Sequence, residues 1–282
     1  RKVAIRQGAR RRAPSASRGR KALPSTNVHF SLGTVSLLTL AAMVEGAMVD
    51  YDTALRIESR YLARLMTGPV ARNMINTFFF DMNAIKSGKS RPGSTPRYKP
   101  QKVGILGAGM MGAGIAWAQA SRGIATVLKD VSAEKAEAGK AYSAKLTQAR
   151  VDKLARTTPT ASAADLAGCD LIIEAVFESR DLKAKVTQEA EPQLAPGGFF
   201  ASNTSTLPIS GLATASSRPE KFVGIHFFSP VDKMKLVEII RGRQTDDETV
   251  ARAYDYVLAL GKLPIVVNDS RGLYTSRTLR PY

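Results

Sequence analysis

The 282-residue chain contains one cysteine, Cys169, and two histidines, His29 and His226. A lone cysteine permits no internal disulfide and no cysteine-rich metal site; a reducing compartment is the simpler reading, although a secreted protein is compatible with it. Two histidines leave few ways to build acid–base chemistry. No apolar run approaches the ~20 residues that span a bilayer. Stretch 28–44 is interrupted by His29, Ser31, Thr34, Ser36 and Thr39, and no transmembrane segment is expected. The first residue is Arg1 rather than methionine, so the chain is expected to be a fragment or a processed product.

What is present is ordinary globular composition. Hydrophobic residues make up 44% and charged residues 23%, which excludes a wholly disordered or collagen-like chain. At roughly 150 residues per domain, this length predicts about two domains. The net charge is +17, unevenly spread. Residues 1–40 hold Arg1, Lys2, Arg6, Arg10, Arg11, Arg12, Arg18, Arg20 and Lys21 and no acid. Such a leader is compatible with a mitochondrial transit peptide or a polyanion-binding arm. It lacks interleaved aromatics for base stacking, so a solvated, disordered basic tail over 1–40 is preferred, with no specific nucleic-acid partner.

Helical periodicity begins near residue 50. Tyr51, Leu55, Leu62 and Leu65 fall on one helical face, and Val70, Met74, Phe78 and Met82 recur four apart after Gly68-Pro69, where proline suits a first helical turn. This predicts a helical connector over 41–87, whose apolar stripes are read as packing faces in preference to an acyl-chain groove. Segment 88–100, rich in Gly, Pro and Lys, reads as an extended or hinge-like linker. Beyond it, over 101–277, apolar runs at 103–106, 125–128, 171–175, 199–202, 222–227, 236–240 and 263–267 alternate with helical patterns at 111–121, 133 onward, 181–194 and 246–260. That alternation predicts an α/β fold with a doubly wound, mostly parallel sheet of Rossmann type.

The sharpest motif is Gly107-Ala108-Gly109-Met110-Met111-Gly112. It follows an apolar run, opens a helix, and precedes a second strand ending at Asp130, the context in which such a turn cradles a dinucleotide. Gly107 allows the tight turn, Gly109 the approach of pyrophosphate, and Gly112 close helix–strand packing. Asp130 sits where a carboxylate accepts from a ribose 2′-hydroxyl and repels a 2′-phosphate, which favours NAD over NADP; the adjacent Lys129 pulls slightly the other way.

His226 ends one apolar run and Glu238 lies inside the next, so neighbouring strands can bring the carboxylate to the imidazole. A histidine titrating near neutrality accepts an alcohol proton, and a carboxylate orients the ring. The alternative is a satisfied core histidine beside an exposed glutamate. The nicotinamide-type fold tips the balance towards catalysis.

The runs KVGILGAGMMGAGIAWAQASRG, VLKD, LAGCDLIIEAVFE, ASNTSTLPIS, HFFSPVDKMKLVEII and VVNDSRG together resemble the NAD-binding domain of L-3-hydroxyacyl-CoA dehydrogenases. Upstream, the stretch from VEGAMVDYD to FFFDMNAI resembles the helical connector of multifunctional fatty-acid oxidation enzymes, in which an enoyl-CoA hydratase domain precedes the dehydrogenase. The resemblance implies NAD-dependent oxidation of 3-hydroxyacyl-CoA to 3-oxoacyl-CoA. His226 would be the base, Glu238 its partner, and Ser205 would lie near the substrate oxygen and nicotinamide. Gly107, Gly109, Met111 and Gly112 would form the phosphate turn, Asp130 the ribose contact, and Glu178, Lys183 and Ser229 further cofactor contacts. Ser143 and Ser276 match substrate positions. Ser229 and Ser276 stand where the family carries asparagine, giving shorter reach. The helical hairpin over 145–165 is expected to be shortened, and 278–282 to be the truncated start of a missing C-terminal helical domain. For the complete enzyme the resemblance implies a homodimer or a thiolase-subunit partner, in bacterial cytoplasm first and mitochondrial matrix second. The alternative function is a truncated dinucleotide-binding module with little or no turnover.

Overall fold

The computed structural model describes residues 28–145 and 155–279. These divide into two compact units with a boundary between Asn83 and Ala84.

The first unit is helical. Helix α1 (Val28–Gly46) starts inside the segment expected to be a tail; residues 1–27 lie outside the described residues. No proline occurs from 25 to 68, and the Leu, Ala and Met of 37–43 are good helix formers. Helix α2 (Tyr51–Thr67) is capped by Asp50, which accepts from the Thr53 amide at 3.0 Å. Gly68 breaks it, and Pro69 opens α3 (Pro69–Ile75). A π-helical turn, Asn76–Asp81, follows and leads into α4 (Met82–Ser87). The wider turn interrupts the four-residue spacing that placed Val70, Met74, Phe78 and Met82 on one stripe, and Phe78 is exposed. Tyr51, Leu55, Leu62 and Leu65 share one face as expected, but they line an open groove of about 430 Å³ facing Leu38 and Met43 of α1. No residue of α2 is buried.

The second unit carries strands β1 (Lys102–Leu106), β2 (Ala125–Lys129), β3 (Thr157–Thr160), β4 (Cys169–Glu174), β5 (Leu194–Ser202), β6 (Phe222–Phe227), β7 (Leu236–Arg241) and β8 (Leu263–Asn268). They form one sheet in the order β3-β2-β1-β4-β5-β6-β7-β8, parallel except for the antiparallel β6–β7 pair. The first six strands follow the 3-2-1-4-5-6 order of dinucleotide-binding sheets. The longer covering helices are α5 (Met110–Ser121), α6 (Ala133–Lys145), α7 (Arg180–Ala190) and α9 (Asp247–Ala259); short helices α8 (Ile209–Leu212) and α10 (Tyr274–Leu279) complete the unit. Alternate strand residues divide between two cores: Ile105, Ile173 and Ile225 pack on one face, Ile172, Phe200 and Phe222 on the other. Strand β3, Thr-Thr-Pro-Thr, escapes the sequence reading because it carries no apolar run. Pro159 is tolerated there because β3 is an edge.

Segment 88–100 is extended and docked. Arg91 grips the buried Asp255 of α9 through Nε and Nη2 at 2.8 and 2.9 Å, Arg97 adds a contact at 3.2 Å, and the Tyr98 amide donates at 2.8 Å. A buried carboxylate requires such partners, and they hold the segment to the sheet unit. Among the described residues, no helix is long and apolar enough to cross a membrane.

Candidate functional site

The site is assembled at the carboxyl ends of β1, β2, β4, β5 and β6. Gly107 leaves β1 with φ +92°, a conformation that favours glycine, and an added Cβ would lie 2.8 Å from the Ala175 carbonyl oxygen. Gly109 is the N-cap of the twelve-residue α5, and a Cβ there would meet nothing within 4 Å. Open space therefore lies before the first-turn amides of α5, the arrangement that receives a phosphate. Gly112 lets α5 cross the turn: a Cβ would fall 1.7 Å from the Gly107 carbonyl oxygen. Met111 turns its side chain towards the core and offers the turn only its backbone. Gly139 of α6, which sequence reasoning missed, also packs too closely for a side chain, 2.6 Å from the Ala108 carbonyl oxygen by the same construction; a glycine inside a polar helix was the available signal.

Asp130 follows β2. Its Oδ2 accepts from the Ala108 amide at 2.6 Å and its Oδ1 from the Val131 amide at 2.7 Å, so the carboxylate is tied to the glycine turn. The cleft beside it, about 270 Å³, is lined by Gly107, Gly109, Lys129, Asp130, Val131 and Glu189 among others.

Glu178 and Lys183 do not project freely into this cleft. Lys183 is buried, and its Nζ lies 2.9 Å from each oxygen of Glu174 and 3.2 Å from Glu178; it is neither a surface residue nor an open ammonium. Burial pushes the Glu174 carboxyl up, against the opposing pull of Lys183 and of the Ser202 hydroxyl. Glu178 Oε1 accepts from the Thr204 hydroxyl at 2.5 Å and from the amides of Ser205 and Thr206 at 3.2 and 3.1 Å. Burial opposes ionisation there, but the Thr204 hydroxyl and Lys183 prevail and hold the carboxyl at about 2. The network thereby shapes the exposed turn that bears Ser205. Asn203, also missed, joins the ends of β5 and β6 by accepting from the Phe227 amide at 2.8 Å.

The antiparallel register sets His226 directly opposite Glu238, and Nδ1 lies 2.7 Å from Oε2. Glu238 is buried, contrary to the exposed-glutamate alternative. Its other oxygen accepts from the Thr275 amide at 2.8 Å, a contact no local pattern announces. Burial raises this carboxyl, yet the bonds from His226 and Thr275 outweigh it and leave it below the ordinary value. An ionised Glu238 accepts from Nδ1–H and leaves Nε2 of a neutral ring as the acceptor. Among the described residues Nε2 has no hydrogen-bond partner. Phe228 packs against the imidazole with centroids 4.5 Å apart.

Ser276 follows Thr275 in the first turn of α10 and is half-buried. Ser229 is exposed, its hydroxyl 3.9 Å from the Met110 sulfur beside the glycine turn. Ser143 lies on α6, and its side chain is outside the described residues.

A family model described as 3-hydroxyacyl-CoA dehydrogenase, NAD binding domain, matches residues 102–270. The fatty acid oxidation complex subunit alpha of Psychrobacter arcticus is 36% identical over 256 residues, covering 87% of this chain and 35% of that protein. The chain thus spans about a third of the length of the curated relatives it matches. A crystal structure of (S)-3-hydroxybutyryl-CoA dehydrogenase from Ralstonia eutropha superposes with TM-score 0.63 at 40% identity, covering 65% of this chain and 69% of the other. One of 3-hydroxybutyryl-CoA dehydrogenase from Escherichia coli gives 0.62 at 32% identity, with 66% and 42% covered.

Proposed function

The chain belongs to the 3-hydroxyacyl-CoA dehydrogenase family and carries its NAD-binding domain, and from that premise we propose that it takes part in the NAD-dependent oxidation of a 3-hydroxyacyl-CoA to a 3-oxoacyl-CoA in fatty-acid oxidation. The observation that carries this reading is the 2.7 Å contact between His226 Nδ1 and the buried Glu238 carboxylate, on the same sheet as the glycine turn. His226 takes the substrate hydroxyl proton at Nε2, and Glu238 stabilises the imidazolium that results. When bound, NAD would supply the acceptor for the hydride released from C3 of the substrate. The amides of Gly109 to Gly112, at the start of α5, would hold its pyrophosphate and Asp130 its ribose, which the open space before α5 and the tied carboxylate support. Ser205 orients the reacting oxygen, with Glu178 and, behind it, Lys183 setting its turn. Ser229 serves the cofactor side, and Ser276 and Ser143 the substrate side.

A cytoplasmic setting accords with the bacterial source of the relatives and with a single, buried free cysteine. Mixing the protein with NADH and acetoacetyl-CoA and following NADH absorbance tests the reading. Turnover is expected, with His226→Ala abolishing it while NADH affinity stays nearly intact. Binding of NADH without any turnover would reduce the protein to a dinucleotide-binding module.

A further inference from the structure

The cleft beside Asp130 contains a pair of opposite charges. Lys129, the last residue of β2, is the one lysine or arginine among the described residues lining it. Its Nζ lies 3.1 Å from Oε1 of Glu189, near the end of α7. The Lys129 side chain is 14% exposed and that of Glu189 43%. Asp130 cannot swing aside, because both of its oxygens hold backbone amides.

Those positions bear on cofactor choice. A tied Asp130 repels a 2′-phosphate, but an unpaired ammonium one residue away attracts one, since a phosphate dianion seeks any cation within hydrogen-bond reach. Glu189 resolves this conflict by occupying the ammonium. We propose that Glu189 is a specificity-determining residue that, by holding Lys129, makes the cleft select the 2′-hydroxyl of NAD(H) against the 2′-phosphate of NADP(H). The inference rests on the reading of this cleft as the nicotinamide-dinucleotide site, and concerns a side chain three strands beyond the glycine motif in sequence.

The test is fluorescence titration of the full chain with NADH and with NADPH, comparing wild type, Glu189→Gln, Glu189→Ala and Glu189→Gln combined with Lys129→Met. Both single variants are expected to shift the affinity ratio towards NADPH by about fivefold, the size appropriate to one half-exposed ion pair. The shift should shrink at high salt, where such pairs are screened, and vanish in the double variant. An unchanged ratio in folded Glu189→Gln and Glu189→Ala overturns the proposal. So does a shift that persists in the double variant, because Lys129 would then not be its cause. If wild type binds neither nucleotide, the underlying site assignment fails instead, and the two failures are distinguishable.

Discussion

At Gly112 the constraint is steric and absolute in direction. A methyl group there would overlap the Gly107 carbonyl oxygen at 1.7 Å, so α5 must move away from β1 or the turn must open. Gly112→Ala is expected to cost about 1–3 kcal/mol, the usual range for overpacking, and to weaken NADH binding; chemical denaturation and fluorescence titration measure the two losses. At Glu238 the constraint is electrostatic. Glu238→Gln keeps the shape but removes the charge beside the imidazole, and under the proposed mechanism turnover should fall at least about 100-fold.

The turn after β5 depends on one carboxylate. Glu178 is held at about 2 against an ordinary value of 4.5. A carboxyl depressed on folding contributes stability that is fully present above its unfolded pKa and is lost as pH falls through its folded pKa. The turn should therefore loosen progressively between about pH 4.5 and 2. Melting temperatures recorded across that interval should fall less steeply in Glu178→Gln, whose amide does not titrate. The connection between β6 and β7 depends on Lys262, whose Nζ donates to the carbonyls of Val231 and Met234 at 2.5 and 2.7 Å. Burial depresses this ammonium below its ordinary value. Lys262→Met strands both carbonyls, and a loss of about 2 kcal/mol is expected, with faster hydrogen exchange over 229–235.

For the molecule as a whole, the attachment of 88–100 turns on Asp255. Arg91 and Asp255 are 6% and 3% exposed, so removing the carboxylate leaves a buried cation. Asp255→Ala should cost about 3 kcal/mol and open the Lys- and Arg-containing segment to trypsin. Resistance equal to wild type would mean that other contacts suffice to hold it. The extended conformation of this segment was legible in its Gly and Pro content, whereas its docking was not, because Asp255 lies 164 residues from Arg91 in sequence.

The same division runs through the protein. Glycines spaced around a β-to-α turn, an acid after the second strand, and short apolar runs in β1 and β4 to β7 are local patterns, and local patterns disclose local backbone: they sufficed for the α/β class, the glycine turn and the pairing of His226 with Glu238 across adjacent strands. Strand β3 carried no such pattern, and the stripe on α2 marked a face without revealing that it stays open. The amide of Thr275 on Glu238, the amide of Phe227 on Asn203, and the pairing of Lys129 with Glu189 arise where distant segments converge. Charge partners are chosen by proximity in space, and the chain's crossings over the sheet set that proximity.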